Sequence, residues 1–198
     1  DVNVRYPQVK ENWKRSFEAN IVAGFAVRGG RAYFPLACGV VKCVSLKDGS
    51  EIWSRQFDGK IYSTPAISGK TLVFGCTDGN VYALNASDGS VKWKYHTEKS
   101  VMASPVIMDG LVYIGGSDHK FRALSLKDGS AVWTYSPVEG HAISTPYCDG
   151  KRVVFGTWGR TLYSLDPRTG REQWKWTVKK PSRMYSPAHC VPVYGSGR

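Results

Sequence analysis

Tryptophan recurs at positions 13, 53, 93, 133 and 174, a spacing of 40 or 41 residues held along the chain. Around each of the last four the same phrase returns. It reads VKCVSLKDGSEIW from Val41, VYALNASDGSVKW from Val81, FRALSLKDGSAVW from Phe121 and LYSLDPRTGREQW from Leu162. A period of this length implies one supersecondary unit repeated and stacked on itself, because no unit of 40 residues buries its own apolar faces.

Each unit carries four short strand signals. In the clearest, Pro65-Ala66-Ile67 opens a strand, Ser68-Gly69-Lys70 turns, and Thr71 to Gly75 returns. Thr77-Asp78-Gly79-Asn80 turns again into Val81 to Leu84. The Asn85 to Gly89 turn then leads to Val91 to Lys94. Gly, Asp and Asn suit the positive φ angles of tight hairpins, and the Val/Tyr/Phe/Leu runs suit strands. Val81 and Ala83 face one way and Tyr82 and Leu84 the other, so both sheet faces are apolar. A sheet clamped between two neighbours needs that pattern, whereas a half-solvated sheet alternates with polar residues. No stretch shows a helical period.

The expectation is an all-β chain, a β-propeller of four-stranded antiparallel blades. Four blades are complete, at about residues 21–56, 61–96, 101–136 and 142–178. Two are partial: 12–17 as a last strand and 184–198 as a first strand and turn. Residues 1–198 then form one propeller region and part of a larger ring, its remaining blades supplied by the parent chain or by another chain. Trp13, Trp53, Trp93, Trp133 and Trp174, with Gly49, Gly89, Gly129 and Gly170 of the turns, are expected to dock blade on blade, each indole covering its neighbour.

These residues resemble the PQQ-like repeat family, whose blades carry Ala-x-(Asp/Asn)-x-x-(Thr/Asp)-Gly-x-x-x-Trp. Ala83 to Trp93 and Ala123 to Trp133 match it, and Ser164 to Trp174 matches in part through Asp166, Thr169 and Gly170. The resemblance implies one of several lives. One is a non-catalytic BamB-like scaffold or binding module. A second is a fragment of a quinoprotein dehydrogenase, with pyrroloquinoline quinone (PQQ) and calcium on the propeller axis. A third is a sensor or recognition region fused to a kinase or phosphoesterase domain. The family also implies an exported bacterial protein, periplasmic or extracellular.

The residues favour the first. There is no phosphate-cradling loop, no HExxH and no nucleophile elbow. The disulfide ring that many such dehydrogenases place over the quinone needs adjacent cysteines, and Cys38, Cys43, Cys76, Cys148 and Cys190 are all apart. The acidic residues sit mostly in turns, where turn chemistry accounts for them. No catalytic, cofactor-binding or metal residue is therefore assigned, and no cofactor is expected. Cys43 falls where other units carry Ala83, Ala123 and Ser164, and reads as a small packing residue.

The chain carries a formal charge of +11, which suits a protein partner or another acidic ligand. The scattering of Lys and Arg speaks against nucleic acid, and no apolar run is long enough to span a membrane. The chain begins at Asp1 without a basic-then-apolar leader, so any signal peptide is expected to have been removed or never present. The loops after second strands and between blades fall at one end of a propeller. They carry Lys60, Lys99, His119, Lys120, His141, Arg160, Lys179, Lys180 and Arg183, with Trp158 standing for the usual turn aspartate. That set is the expected partner face. His119 and His141 fall in loops of the same end, and solvated loop histidines are the ordinary reading of such a pair.

Overall fold

The computed structural model describes residues 11–178 of the 198. Sixteen strands in the described residues form four antiparallel sheets, each built from four consecutive strands in simple order. The first blade contains β1 (Ala26–Arg28), β2 (Arg31–Pro35), β3 (Val40–Ser45) and β4 (Glu51–Gln56). The second contains β5 (Ala66–Ser68), β6 (Thr71–Gly75), β7 (Asn80–Asn85) and β8 (Val91–His96). The third contains β9 (Val106–Met108), β10 (Leu111–Gly115), β11 (Phe121–Ser125) and β12 (Ala131–Tyr135). The fourth contains β13 (Tyr147–Cys148), β14 (Val153–Gly156), β15 (Thr161–Leu165) and β16 (Glu172–Thr177).

The first strands of successive blades are neighbours, β1 beside β5, β5 beside β9 and β9 beside β13, so the sheets fan around an inner edge rather than face each other as two layers. Main-chain amides and hydroxyls link those inner edges. Gly24 N donates to Thr64 Oγ1 at 2.8 Å, and Thr64 N donates to Ser104 Oγ at 2.9 Å. Thr64 and Ser104 stand immediately before Pro65 and Pro105. Proline has no N–H to give, so the preceding hydroxyl and amide supply the polar link between blades.

The core lies between blades. Tyr82 and Leu84 pack with Trp53, Phe57 and Leu72 on one side of the second blade. Val81 and Ala83 pack with Trp93, Val101, Ile114 and Leu124 on the other. Both faces of the third strand are thus covered, as its apolar alternation requires. Cys43 is fully buried on β3 between Tyr33 and Trp53.

Every outer pair also contains a β-bulge one step before its tryptophan. Ala83 faces Trp93 but Leu84 faces Val91, and the same shift recurs at Cys43/Val44, Ala123/Leu124 and Ser164/Leu165. A bulge increases local twist, which suits an outer strand turning away from the axis.

The tryptophans meet the next blade at a glycine. A Cβ built on Gly89 would lie 2.7 Å from Trp53 Cε3, and Gly49, Gly129 and Gly170 stand in the same relation to Trp13, Trp93 and Trp133. The indole N–H donates to a carbonyl of that same turn, from Trp13 to Leu46, Trp53 to Ala86, Trp93 to Leu126 and Trp133 to Pro167, at 2.8–3.1 Å. Trp53 and Trp93 are buried and Trp133 is half-buried, but Trp174 is 40% exposed and covers no blade among the described residues. Residues 12–17 form no strand, contrary to expectation. A fourth strand takes its main-chain partner from the third strand of its own blade, and no such strand stands beside this segment among the described residues. Its side chains hold it instead, through Trp13, Arg15 to Gly49 O and Glu51, and Glu18 to Lys42. The expected partial blade at 184–198 lies outside the described residues.

Candidate functional site: the loop end of the blades

Lys60, Lys99 and His141 fall in the connections between blades, and His119, Lys120, Trp158 and Arg160 in the turns between second and third strands. Main-chain bonds lace the two sets together. Thr77 N donates to Lys60 O, Ser117 N to Ser100 O and Trp158 N to His141 O, at 3.0–3.1 Å. These three bonds also fix the register of the repeats, with Thr77, Ser117 and Trp158 at one position.

Trp158 therefore does not replace the turn aspartate. The residue at the place of Asp78 and Asp118 is Gly159, because the fourth blade carries one extra residue before its proline and shifts the later numbering. Gly159 is needed there. A Cβ on it would lie 2.1 Å from Glu139 O, and one on Gly140 would lie 2.1 Å from Gly159 N. Two main chains pack in contact, and no side chain fits between them.

The next position holds Gly39 and Gly79 in the first two blades, with φ of 90° and 86°. In the third and fourth blades it holds His119 and Arg160, with φ of 59° and 61°. A left-handed backbone is uncommon away from glycine, though histidine is among the residues that adopt it more often. Arg160 is held there by Arg160 N to Thr157 O and Val178 N to Arg160 O, both at 3.1 Å. Its side chain is exposed, and Trp158 beside it is 48% exposed.

The cations are not alone at this end. Asp58, Glu98 and Glu139 occupy one equivalent position in the blade connections and set carboxylates among the cations. Lys120 pairs with Glu98, and Lys175 with Glu139. Lys60, Lys99 and Arg160 are the exposed cations of the expected set. Lys179, Lys180 and Arg183 lie outside the described residues. Asp118 is also more than a turn former. It is buried and forms a two-point ion pair with buried Arg122, whose guanidinium lies 5.8 Å over the Tyr95 ring. In the second blade the same positions hold Asp78 and Tyr82, joined by a 2.7 Å hydrogen bond from the phenol. Burial and the Asp78 carboxylate push the Tyr82 phenol above its ordinary range.

A family model described as outer membrane protein assembly factor BamB matches residues 7–136 and again residues 37–187. The chain belongs to this family. A search of curated protein sequences finds no match. Among solved structures, BamB from Moraxella catarrhalis is 24% identical with a TM-score of 0.72, over 83% of this chain and 52% of that one. The chain thus spans about half the length of that BamB. The computationally designed Ika4 protein, 14% identical with a TM-score of 0.72, is matched over 98% of its length and 80% of this chain. Quinohemoprotein alcohol dehydrogenase from Comamonas testosteroni is 17% identical with a TM-score of 0.70, over 80% of this chain and 35% of that one. All three likenesses are to the propeller fold.

No three His, Cys, Asp or Glu side chains converge on one point among the described residues. No helix of the described residues is long and apolar enough to cross a membrane.

Proposed function

We propose that this chain is a non-catalytic binding module that docks a protein partner through the loop end of its fourth blade, in the bacterial periplasm or outside the cell. The carrying observation is the turn Trp158-Gly159-Arg160. It places an exposed tryptophan and an exposed arginine on one tight loop, with the arginine on a left-handed backbone that the first two blades give to glycine. Tryptophan and arginine are the residue types most enriched where binding energy concentrates. Strain of this kind, kept at a surface, is found at binding and switch sites. Lys60 and Lys99 extend the face, while Asp58, Glu98 and Glu139 make it mixed in charge. The partner surface is accordingly a patch with an apolar pocket for the indole and acidic groups beside it, not a uniformly acidic polymer. The family description, an outer membrane protein assembly factor, supports a role in protein assembly and an exported location.

The repeats supply substitutions compatible with the fold. Trp158→Ser copies Ser117, and Arg160→Gly copies Gly79. Co-purification of outer-membrane assembly proteins with the full-length parent protein should fall at least about tenfold in the double variant, since hot-spot truncations cost about 2 kcal/mol or more each. Equal recovery from a correctly folded double variant would remove this face from the function.

A further inference from the structure

The same end of the molecule contains a pair of side chains that partner docking does not use. The imidazoles of His119 and His141 lie with ring centroids 4.9 Å apart, inclined at 44°. They come from different segments, the β10–β11 turn and the β12–β13 connection. Each Nδ1 faces a main-chain carbonyl, Val138 O at 3.2 Å for His119 and Ser117 O at 2.8 Å for His141. A carbonyl oxygen only accepts, so both Nδ1 atoms carry a proton. In the neutral rings both Nε2 atoms therefore keep a lone pair. Neither Nε2 is hydrogen-bonded among the described residues. An imidazole anchored at one nitrogen by a carbonyl and open at the other is how proteins orient a metal-ligating histidine.

The main chain fixes this geometry. Val138 N donates to His119 O at 2.9 Å and Ala142 N to Gly116 O at 3.3 Å, so the two segments are tied on both sides of the rings. His119 holds a left-handed φ at a place where Gly39 and Gly79 stand in other blades. The nearest cations in sequence, Lys120 and Arg122, are each paired with a carboxylate. His141 is exposed and His119 half-buried.

We propose that His119 and His141 form a two-imidazole site for a divalent transition-metal ion, Cu²⁺, Ni²⁺ or Zn²⁺, with water completing the coordination. Imidazole suits these ions, and Cu²⁺ binds tightest to a given nitrogen set. The absence of a third converging His, Cys, Asp or Glu among the described residues argues against the harder Ca²⁺ and Mg²⁺, which need oxygen. The site does not depend on the docking reading, because the ion alone is the probe.

Titrating the full chain with Cu²⁺ at neutral pH, followed by calorimetry and electron paramagnetic resonance, should give one equivalent bound through two nitrogens. Ni²⁺ and Zn²⁺ should bind more weakly at the same place. His119→Gly copies Gly79 and His141→Ser copies Ser100, so each removes an imidazole with a residue the fold already uses. Each should weaken binding at least about tenfold, as loss of even an outer-shell partner does. Each should also leave one nitrogen in the resonance spectrum. His96→Ala should change nothing. Melting curves without metal identify any variant that fails to fold, and the other single variant then decides. Wild-type affinity in the double variant, or a two-nitrogen spectrum surviving in either single variant, overturns the assignment.

Discussion

Arg122→Ala is the most informative single change in the scaffold. The Asp118 and Arg122 side chains are 1% and 4% exposed and bind each other at two points. Deleting the guanidinium leaves a carboxylate buried between the second and third blades without its counter-charge. Breaking a buried pair in this way costs about 3–5 kcal/mol. For a chain of this size, each kcal/mol lowers the melting point by about 2–4 °C, so the drop should be roughly 6–20 °C. The neighbouring blade supplies the compensating experiment. Arg122→Tyr recreates the Tyr82–Asp78 arrangement, in which the phenol donates to the carboxylate at 2.7 Å. It also sets an aromatic ring beside Tyr95, as Tyr163 lies beside Tyr135 at 5.7 Å. This variant should recover at least half of the loss. Removing both charges together, as Asp118→Ala with Arg122→Met, should fall within about 1 kcal/mol of the parent, because a fully apolar replacement leaves nothing unpaired. Urea unfolding followed by tryptophan fluorescence measures all three, with Trp93 reporting from the same interface. An Arg122→Ala variant as stable as the parent, or an Arg122→Tyr variant no better than Arg122→Ala, would refute the reasoning.

Further outcomes are expected. Trp93→Ala should lose about 3–5 kcal/mol, as for other buried large aromatics, while Trp174→Ala, already 40% exposed, should lose far less in the same unfolding assay. Gly129→Ala should resemble Trp93→Ala, since its Cβ would fall 2.6 Å from the indole on a backbone with φ of 77°. Burial pushes the Cys43 and Cys76 thiols up to about 11, so at pH 8 iodoacetamide should label exposed Cys38 and spare those two, as read by mass spectrometry of peptides. A thiol raised in the folded state stabilises fully below its ordinary value near 8.5. Stability should therefore decline as pH rises from there through about 11.

The repeat carries its fold on its face because every blade solves the same packing problem. Leu72, Val81 and Leu84 alternate as a doubly buried sheet must, and the Asp-Gly turns fall where hairpins close. What the repeat conceals lies in its exceptions. The extra residue before Pro146 displaces Trp158 by one position, and the bond from Trp158 N to His141 O together with the pairing of Gly156 with Leu162 shows which residue it replaces. Arg122 stands where a tyrosine serves the blades on either side, so counting cations assigns it to solvent although it is buried. The acidic residues of the blade connections, Asp58, Glu98 and Glu139, are visible in the sequence. The pairing of Glu98 with Lys120 and of Glu139 with Lys175 depends on segments meeting across more than 20 residues of chain. Topology puts His119 and His141 at one end, but the contact between their rings follows from main-chain bonds that no local pattern encodes.

The indole-on-glycine contacts give this architecture a grammar. Each blade brings one plug, its tryptophan, and one socket, its glycine turn, and the hydroxyls of Thr64 and Ser104 repeat that arrangement near the axis. Excising residues 61–100 would join Lys60 to Val101 and bring Trp53 opposite Gly129, so the new junction keeps both its plug and its socket. A gene encoding such a chain can lengthen or shorten by whole units while every junction is spelled as before.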